Sequence, residues 1–316
     1  MTLEQLRIFV AVAEKQHVTR AANELNLTQS ATSAAIAALE ARYGIKLFDR
    51  IGRGITLTQT GKDFLIEARA VLARAADATQ VLNDLAGLKR GSLSIAASQT
   101  VGNYWLPPRV QTFHAAYPGI ELRLAISNTE QVARMVLQGS ADLGFVEGDV
   151  DESLLTAKRI DGDSLILAVG ARHPWANRTK ISAKDLPTTS WILRERGSGT
   201  RSMFEAVLRQ NGLKLSDLHV ALELPSNEAV RSAVEAGDGA TAVSDLVAAP
   251  SIAAKTLHRV KFDLPRRSFY ILRHKERHIS RASPSLARAS SNGCSESRVT
   301  PASNSRVNSR PITAAA

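Results

Sequence analysis

Among 316 residues there is one cysteine, Cys294, and aromatic side chains make up only 5%. A lone thiol cannot close an intrachain disulfide or assemble a multi-cysteine zinc site. Nowhere do 18 apolar residues run together, so no transmembrane helix and no membrane partner are expected. The opening MTLEQLRIFVAVAEK has no basic segment ahead of an apolar one and no small-residue cleavage site, so it does not read as a signal peptide. These features fit a reducing cytoplasm. Catalytic signatures are missing too. There is no GxxxxGK(S/T) phosphate loop and no GxSxG after a strand, and Gly197-Ser198-Gly199 is too short to count. His274 and His278 bracket Lys-Glu-Arg where a strand ends, without the HExxH order of a zinc pair. The expectation is a chain that is not an enzyme and has no metal and no cofactor.

What is present begins with charge. The net +10 is unevenly placed: residues 266–316 hold ten Lys/Arg against two Asp/Glu, whereas residues 63–265 hold 22 against 23. A pI near 10 therefore says little about nucleic acid by itself, and local pattern has to decide.

In residues 1–58 the pattern is specific. Leu3, Leu6, Phe9, Val10 and Ala13 recur at three- and four-residue spacing, one face of a helix. A short second helix is predicted over about 19–25, then a turn at Asn26-Leu27-Thr28, with Thr28 as the N-cap of a third helix. On that third helix Thr28, Thr32, Ala35, Ile36 and Leu39 share an inward side, while Ser30, Ser33, Ala34 and Ala37 share the other, with Gln29 at its leading edge. The outer face is short and uncharged, suited to close approach to base edges: Gln pairs with adenine, Ser with several bases, Ala with the thymine methyl. An alternative is a packed alanine-rich helix. GIKLFDRIGRGITLTQTG then reads as a hairpin turning at Gly52-Arg53-Gly54, with Arg50 and Arg53 near its tip for phosphates or a minor groove.

Phe9, Ala21-Ala22, Leu25, Gln29-Ser30-Ala31, Ser33, Ile36, Leu39-Glu40, Gly44, Leu47-Phe48, Arg50, Thr58 and Gly61 carry a resemblance to the DNA-binding domain of LysR-type transcriptional regulators over nearly its whole length. The implied fold is an α+β multidomain chain: an N-terminal winged helix-turn-helix, a long dimerisation helix, and a two-lobed α/β effector domain similar to type 2 periplasmic binding proteins. The candidate DNA-binding residues are Thr19, Arg20, Thr28, Gln29, Ser30, Thr32, Ser33, Ala34, Arg50 and Arg53. Ala34 stands where the family often has Arg or Lys. The implied partners are double-stranded DNA, a second copy in a homodimer or tetramer, and RNA polymerase.

Residues 59–88 are predicted as one helix in which Leu65, Ala68, Leu72, Ala75, Thr79, Leu82 and Ala86 keep a single seam, with Leu65, Leu72 and Leu82 as dimerisation candidates. An ordinary amphipathic helix packed on its own domain is the alternative.

From 91 to 282 strands alternate with helices, which argues for largely parallel α/β architecture. IELRLAISNTEQVARMVLQGSADLGFVEG aligns by eye with HVALELPSNEAVRSAVEAGDGATAVSD, implying two lobes with a cleft between them, the second lobe spanning about 162–265. Beyond the strand ends lie Ser98-Gln99-Thr100, Ser127-Asn128-Thr129, Ser198-Gly199-Thr200 and Ser226-Asn227, either plain caps or a cradle for an oxyanion. The effector candidates are Ser98, Gln99, Thr100, Asn128, Thr129, Glu147, Ser198 and Thr200, with Glu147 expected to orient amides or to accept from a ligand donor. SQTVGNYWLP together with SNTEQVARMVLQGSADLGFVEG looks like the family branch controlling sulfur assimilation or carbon fixation, so sulfite, sulfate or a phosphorylated metabolite is the expected effector. Two other readings are a nonspecific DNA-organising protein and a solute-binding module without regulatory output. Residues 283–316, rich in Ser and Arg and without apolar periodicity, read as a disordered basic arm or a frameshift product.

Overall fold

A computed structural model describes residues 1–51, 54–85, 91–178 and 180–277. Arg53, the end of the seam at Ala86, His278 and the tail from 283 lie outside the described residues.

The head begins with α1 (Leu3–Lys15), α2 (Val18–Glu24) and α3 (Gln29–Tyr43), followed by the antiparallel hairpin β1 (Phe48–Ile51) and β2 (Gly54–Leu57). Thr28 does cap α3: its Oγ1 accepts from the Ala31 amide at 3.2 Å, a bond that stabilises a helix by about 1 kcal/mol. Leu6, Phe9, Val12, Ile36, Leu39, Leu47 and Phe48 form the head core, and Phe9 meets Phe48 and Phe64 at ring distances of 5.5 and 4.9 Å. Glu40 locks the hairpin to α3 by accepting from the Leu47 and Phe48 amides at 2.8 and 3.2 Å and from Lys46 Nζ at 3.0 Å. Burial pulls this carboxyl up, but the three donors outweigh it and hold it below the usual carboxylate range.

The long helix α4 (Gln59–Leu85) is continuous, and its seam residues differ in their surroundings. Leu65 and Leu72 pack, half-buried, against the head core of their own chain, because α4 leans on α1 through its first half. Leu82, past the end of the head, is 68% exposed. Among the three dimerisation candidates, only Leu82 presents a bare apolar side chain.

The remaining α-helices and strands are β3 (Gly91–Ser98), α5 (Pro107–Ala116), β4 (Ile120–Ser127), α6 (Thr129–Gln138), β5 (Leu143–Glu147), β6 (Leu155–Gly170), β7 (Ser190–Arg194), α7 (Gly199–Gln210), β8 (His219–Leu224), α8 (Asn227–Ala236), β9 (Ala240–Ser244), α9 (Asp245–Ala253), β10 (Leu257–Val260) and β11 (Arg266–His274). Strand order runs β4-β3-β5-β11-β6-β9-β7-β8, with β10 also on β6. β3 is parallel to β4 and β5, and β7 to β8 and β9. The two parallel groups are joined by β6. Its residues 155–164 pair with β11, and its residues 165–169 pair with β9. Each group has its own core, one around Ile95, Trp105, Phe145 and Phe269, the other around Leu167, Trp191 and Phe204. The repeat read in the sequence corresponds to β4-α6-β5 and β8-α8-β9. The sequence pattern shows only the apolar second half of β6, because Lys158, Arg159, Asp161 and Asp163 interrupt its first half. β10, four residues long, is missed in the same way.

Candidate functional site

The head presents a concavity of about 740 Å³ between α3 and the hairpin, lined by Thr19, Gln29, Ser33, Ala37 and Arg50 among others. Gln29, Ser30 and Ala34 are exposed and Ser33 is half-buried, all on the outer side of α3. Thr19, Arg20 and Arg50 are exposed on α2 and β1. Thr28 is engaged as the cap. Thr32 is a correction: it is 0% exposed, and its Oγ1 donates to the Thr28 carbonyl at 3.1 Å, so its side chain faces the core and not a ligand. The rest form a shallow, uncharged face with cations at its margin, a shape that admits a duplex edge and supplies acceptors and donors at short reach.

The second site lies where the two parallel groups meet, and it is built from buried polar side chains. Arg267, at the start of β11, has no exposed side-chain surface. Its Nε and Nη2 donate to Asp163 Oδ1 and Oδ2 at 2.5 and 2.7 Å, Nη1 to Thr200 Oγ1 at 2.8 Å, and Nη2 to Thr100 Oγ1 at 3.2 Å. Glu147 Oε1 stands 3.8 Å from Nη1. Burial favours the neutral guanidine, but the bonds to Asp163 and the charges of Glu147, Asp163 and Asp245 prevail and raise its pKa.

The hydroxyls divide into two kinds. Ser98 donates to Glu147, Thr129 to the Glu147 carbonyl at 3.1 Å, and Ser244 to Asp163 at 2.5 Å, so these hydrogens are committed within the protein. Thr100 and Thr200 accept from Arg267, which leaves their own hydrogens to donate. Ser198 Oγ is buried with no hydrogen-bond partner. Gln99 and Asn128 hold the two sides together. Gln99 Nε2 donates to the Pro225 carbonyl at 2.7 Å and its Oε1 accepts from the Asn227 amide at 2.9 Å, while Asn128 Nδ2 reaches Glu195 and the Arg196 carbonyl at 3.2 and 3.4 Å. Tyr104 adds a bond to Glu228 at 3.0 Å, and burial together with that carboxylate pushes its phenol up to about 12. A Cβ on Gly199 would collide with the Glu147 carbonyl, so this close approach requires glycine.

All eight effector candidates thus come together in space. Sequence reasoning missed Arg267 and Asp163, the partners at the centre. Arg267 falls in the basic C-terminal count, and only its place at the head of an apolar strand marked it as unusual.

Residues 3–62 match the bacterial regulatory helix-turn-helix protein of the lysR family, and residues 86–293 match the LysR substrate binding domain. The chain is 33% identical over 284 residues to the uncharacterized HTH-type transcriptional regulator YeiE of Escherichia coli strain K12, covering 89% of this chain and 94% of that one. It is 35% identical over 288 residues to a probable RuBisCO transcriptional regulator of Thalassiosira pseudonana, at the same coverage of 89% and 94%. The regulatory domain of Synechocystis PCC6803 CcmR, solved in complex with 2-PG, is similar with a TM-score of 0.60 and 26% identity, covering 66% of this chain and 99% of that one. Two matched domains, in the order expected from the sequence, together with relatives matched over nearly their full length, make the conclusion plain: the chain belongs to the LysR family, a DNA-binding transcriptional regulator with an effector-binding domain.

Proposed function

We propose that the cleft binds a small oxyanion, with Arg267 as the charged anchor and Thr100, Ser198 and Thr200 as donors. The observation carrying this reading is the buried Arg267 flanked by two hydroxyls that still have hydrogens to give, beside a Ser198 hydroxyl without a partner. A buried hydroxyl left unpaired is costly, so a site of this kind favours a ligand that accepts. CcmR's complex with 2-PG and the relatives named for RuBisCO regulation support a phosphorylated metabolite; sulfite and sulfate remain in the same chemical class. On the head, Gln29 and Ser33 read bases and Arg20 and Arg50 hold phosphates. Two copies pair through α4 around the exposed Leu82 and address two half-sites, which raises affinity through effective concentration. The protein works in the cytoplasm and acts on RNA polymerase at the promoter. Among the described residues no helix is long and apolar enough to cross a membrane. Neither a nonspecific DNA-organising role nor a bare solute-binding role accounts for a regulator's head joined to an effector domain.

Calorimetry of the full chain against sulfite, sulfate, phosphate and 2-PG tests the cleft. An anion should bind, and Thr100→Val should weaken it by about tenfold to a hundredfold, the loss of one hydrogen bond to a charge, roughly 1.5–3 kcal/mol. Binding of a neutral or cationic ligand in this cleft, with no anion bound, overturns the oxyanion reading.

A further inference from the structure

Two elements each have one end in the cleft and the other against α4. α6 starts at Thr129, bonded to the Glu147 carbonyl, and its cap Asn128 reaches across to Glu195. It runs about 15 Å, at 1.5 Å per residue, and ends at Gln138. There Arg69 of α4 donates from Nη1 to Gln138 Oε1 at 3.2 Å and from Nη2 to Glu14 Oε1 of α1 at 2.7 Å. Gly139, with φ 75°, sits so close to α4 that a Cβ on it would collide with the Ala73 methyl and the Arg277 guanidinium.

β11 repeats the arrangement. Arg267 is in the cleft near its first residue, and just past its last the Glu276 carbonyl accepts from Arg74 Nη1 of α4 at 2.7 Å. The two positions are about 30 Å apart along an extended strand at roughly 3.3 Å per residue. Both elements are packed along their length, α6 through buried Val132, Ala133 and Val136, β11 through Phe269, Ile271 and Leu272. A packed element transmits displacement from end to end because its interior has no slack to absorb it.

We infer that α6 and β11 carry the state of the cleft to α4, and that the head reads it at Arg69, where a single guanidinium holds Glu14 of the head and Gln138 of the lobe. The hydrogen bonds that Arg69 and Arg74 make from α4 are partly exposed, weak enough to break and remake, as a switch requires. The inference rests on the cleft as the regulatory site but not on the chemistry of what fills it, so its test uses no effector.

The experiment measures affinity of the full chain for a duplex that the protein itself has selected from a random pool. Thr129→Val, which cuts the bond at the cleft end of α6, should shift that affinity by about fivefold or more, the lower range of allosteric coupling. In an Arg69→Ala, Arg74→Ala background the same substitution should leave affinity unchanged. Ala73→Leu, which wedges Gly139 off α4 without removing a charge, should abolish the response in the same way, and it carries the test if the double variant does not fold by circular dichroism. Equal shifts in all backgrounds, or no shift in the otherwise native chain, overturn the inference. Failure of the anion titrations leaves this experiment untouched.

Discussion

The outer face of α3 and the cleft differ in who supplies the hydrogen-bond partners. On the head, Gln29, Ser33 and Ala34 stand at the surface with their outward edges open. In the cleft, Arg267 engages Asp163, Thr100 and Thr200 at once, and Ser98, Thr129 and Ser244 are each bonded to a neighbour. DNA brings its own donors and acceptors to an open face, so contacts there are made one at a time. On the proposed site, a small ligand enters a network whose bonds are mostly made, where only Thr100, Thr200 and Ser198 still have hydrogens to give. Substitutions on the head should therefore act nearly independently, and substitutions in the cleft should couple stability to binding.

The largest test of that contrast is Arg267→Met. It leaves Asp163 and Glu147 buried without their countercharge and should destabilise the effector domain by about 3–5 kcal/mol, read by urea unfolding. A change below that range would mean that the cleft tolerates open bonds as the head does. Glu40→Ala comes next: two amides and Lys46 lose their acceptor, and the head should lose about 1.5–3 kcal/mol. Because its folded pKa lies below the ordinary 4.5, this contribution is fully present above that value and is lost as pH falls through the folded one. Native and variant heads should thus converge in stability in acid. If the gap stays constant from neutral pH to acid, ionised Glu40 is not the clamp. Gln29→Ala and Ser33→Ala should each cost about 1–3 kcal/mol on the selected duplex and little on random DNA, whereas Arg50→Ala should weaken both and flatten the salt dependence. Equal losses on both duplexes for Gln29→Ala would remove α3 from base reading. Smallest in folding energy is Leu82→Glu, within about 0.5 kcal/mol for an exposed position, yet sedimentation should show weaker self-association. Leu72→Glu, at a half-buried position packed on the head, should destabilise the fold instead.

How legible these regions were follows from the range of the interactions. α3 and its Thr28 cap were readable because capping and helix periodicity act within four residues. The repeat was readable because two stretches of sequence carry the same order of strand, polar turn and helix. For Leu65 and Leu72 the spacing left two readings open, because a three-four spacing records which residues share a face without recording what covers it; α1 covers the first half. Thr32 was legible as an inward residue from the helix wheel, and its hydroxyl, bonded to the carbonyl four residues earlier, is not available to a ligand. Arg267 and Asp163 are 104 residues apart, and no local pattern links them. The strand that carries Asp163 hides behind its own charges.

The pairing of Asp163 with Arg267 lies directly across the β6–β11 ladder, at the place where the chain passes between the two parallel groups. One ion pair therefore fastens the crossing strands and faces the hydroxyls of the cleft. For divergence among relatives this separates two kinds of position. On the proposed site, drift at 100, 198 or 200 retunes which molecule is sensed while the crossing stays fastened, whereas any change at 267 alters the sensor and the joint together. A search for new ligand preferences belongs at the hydroxyls, with the arginine held fixed.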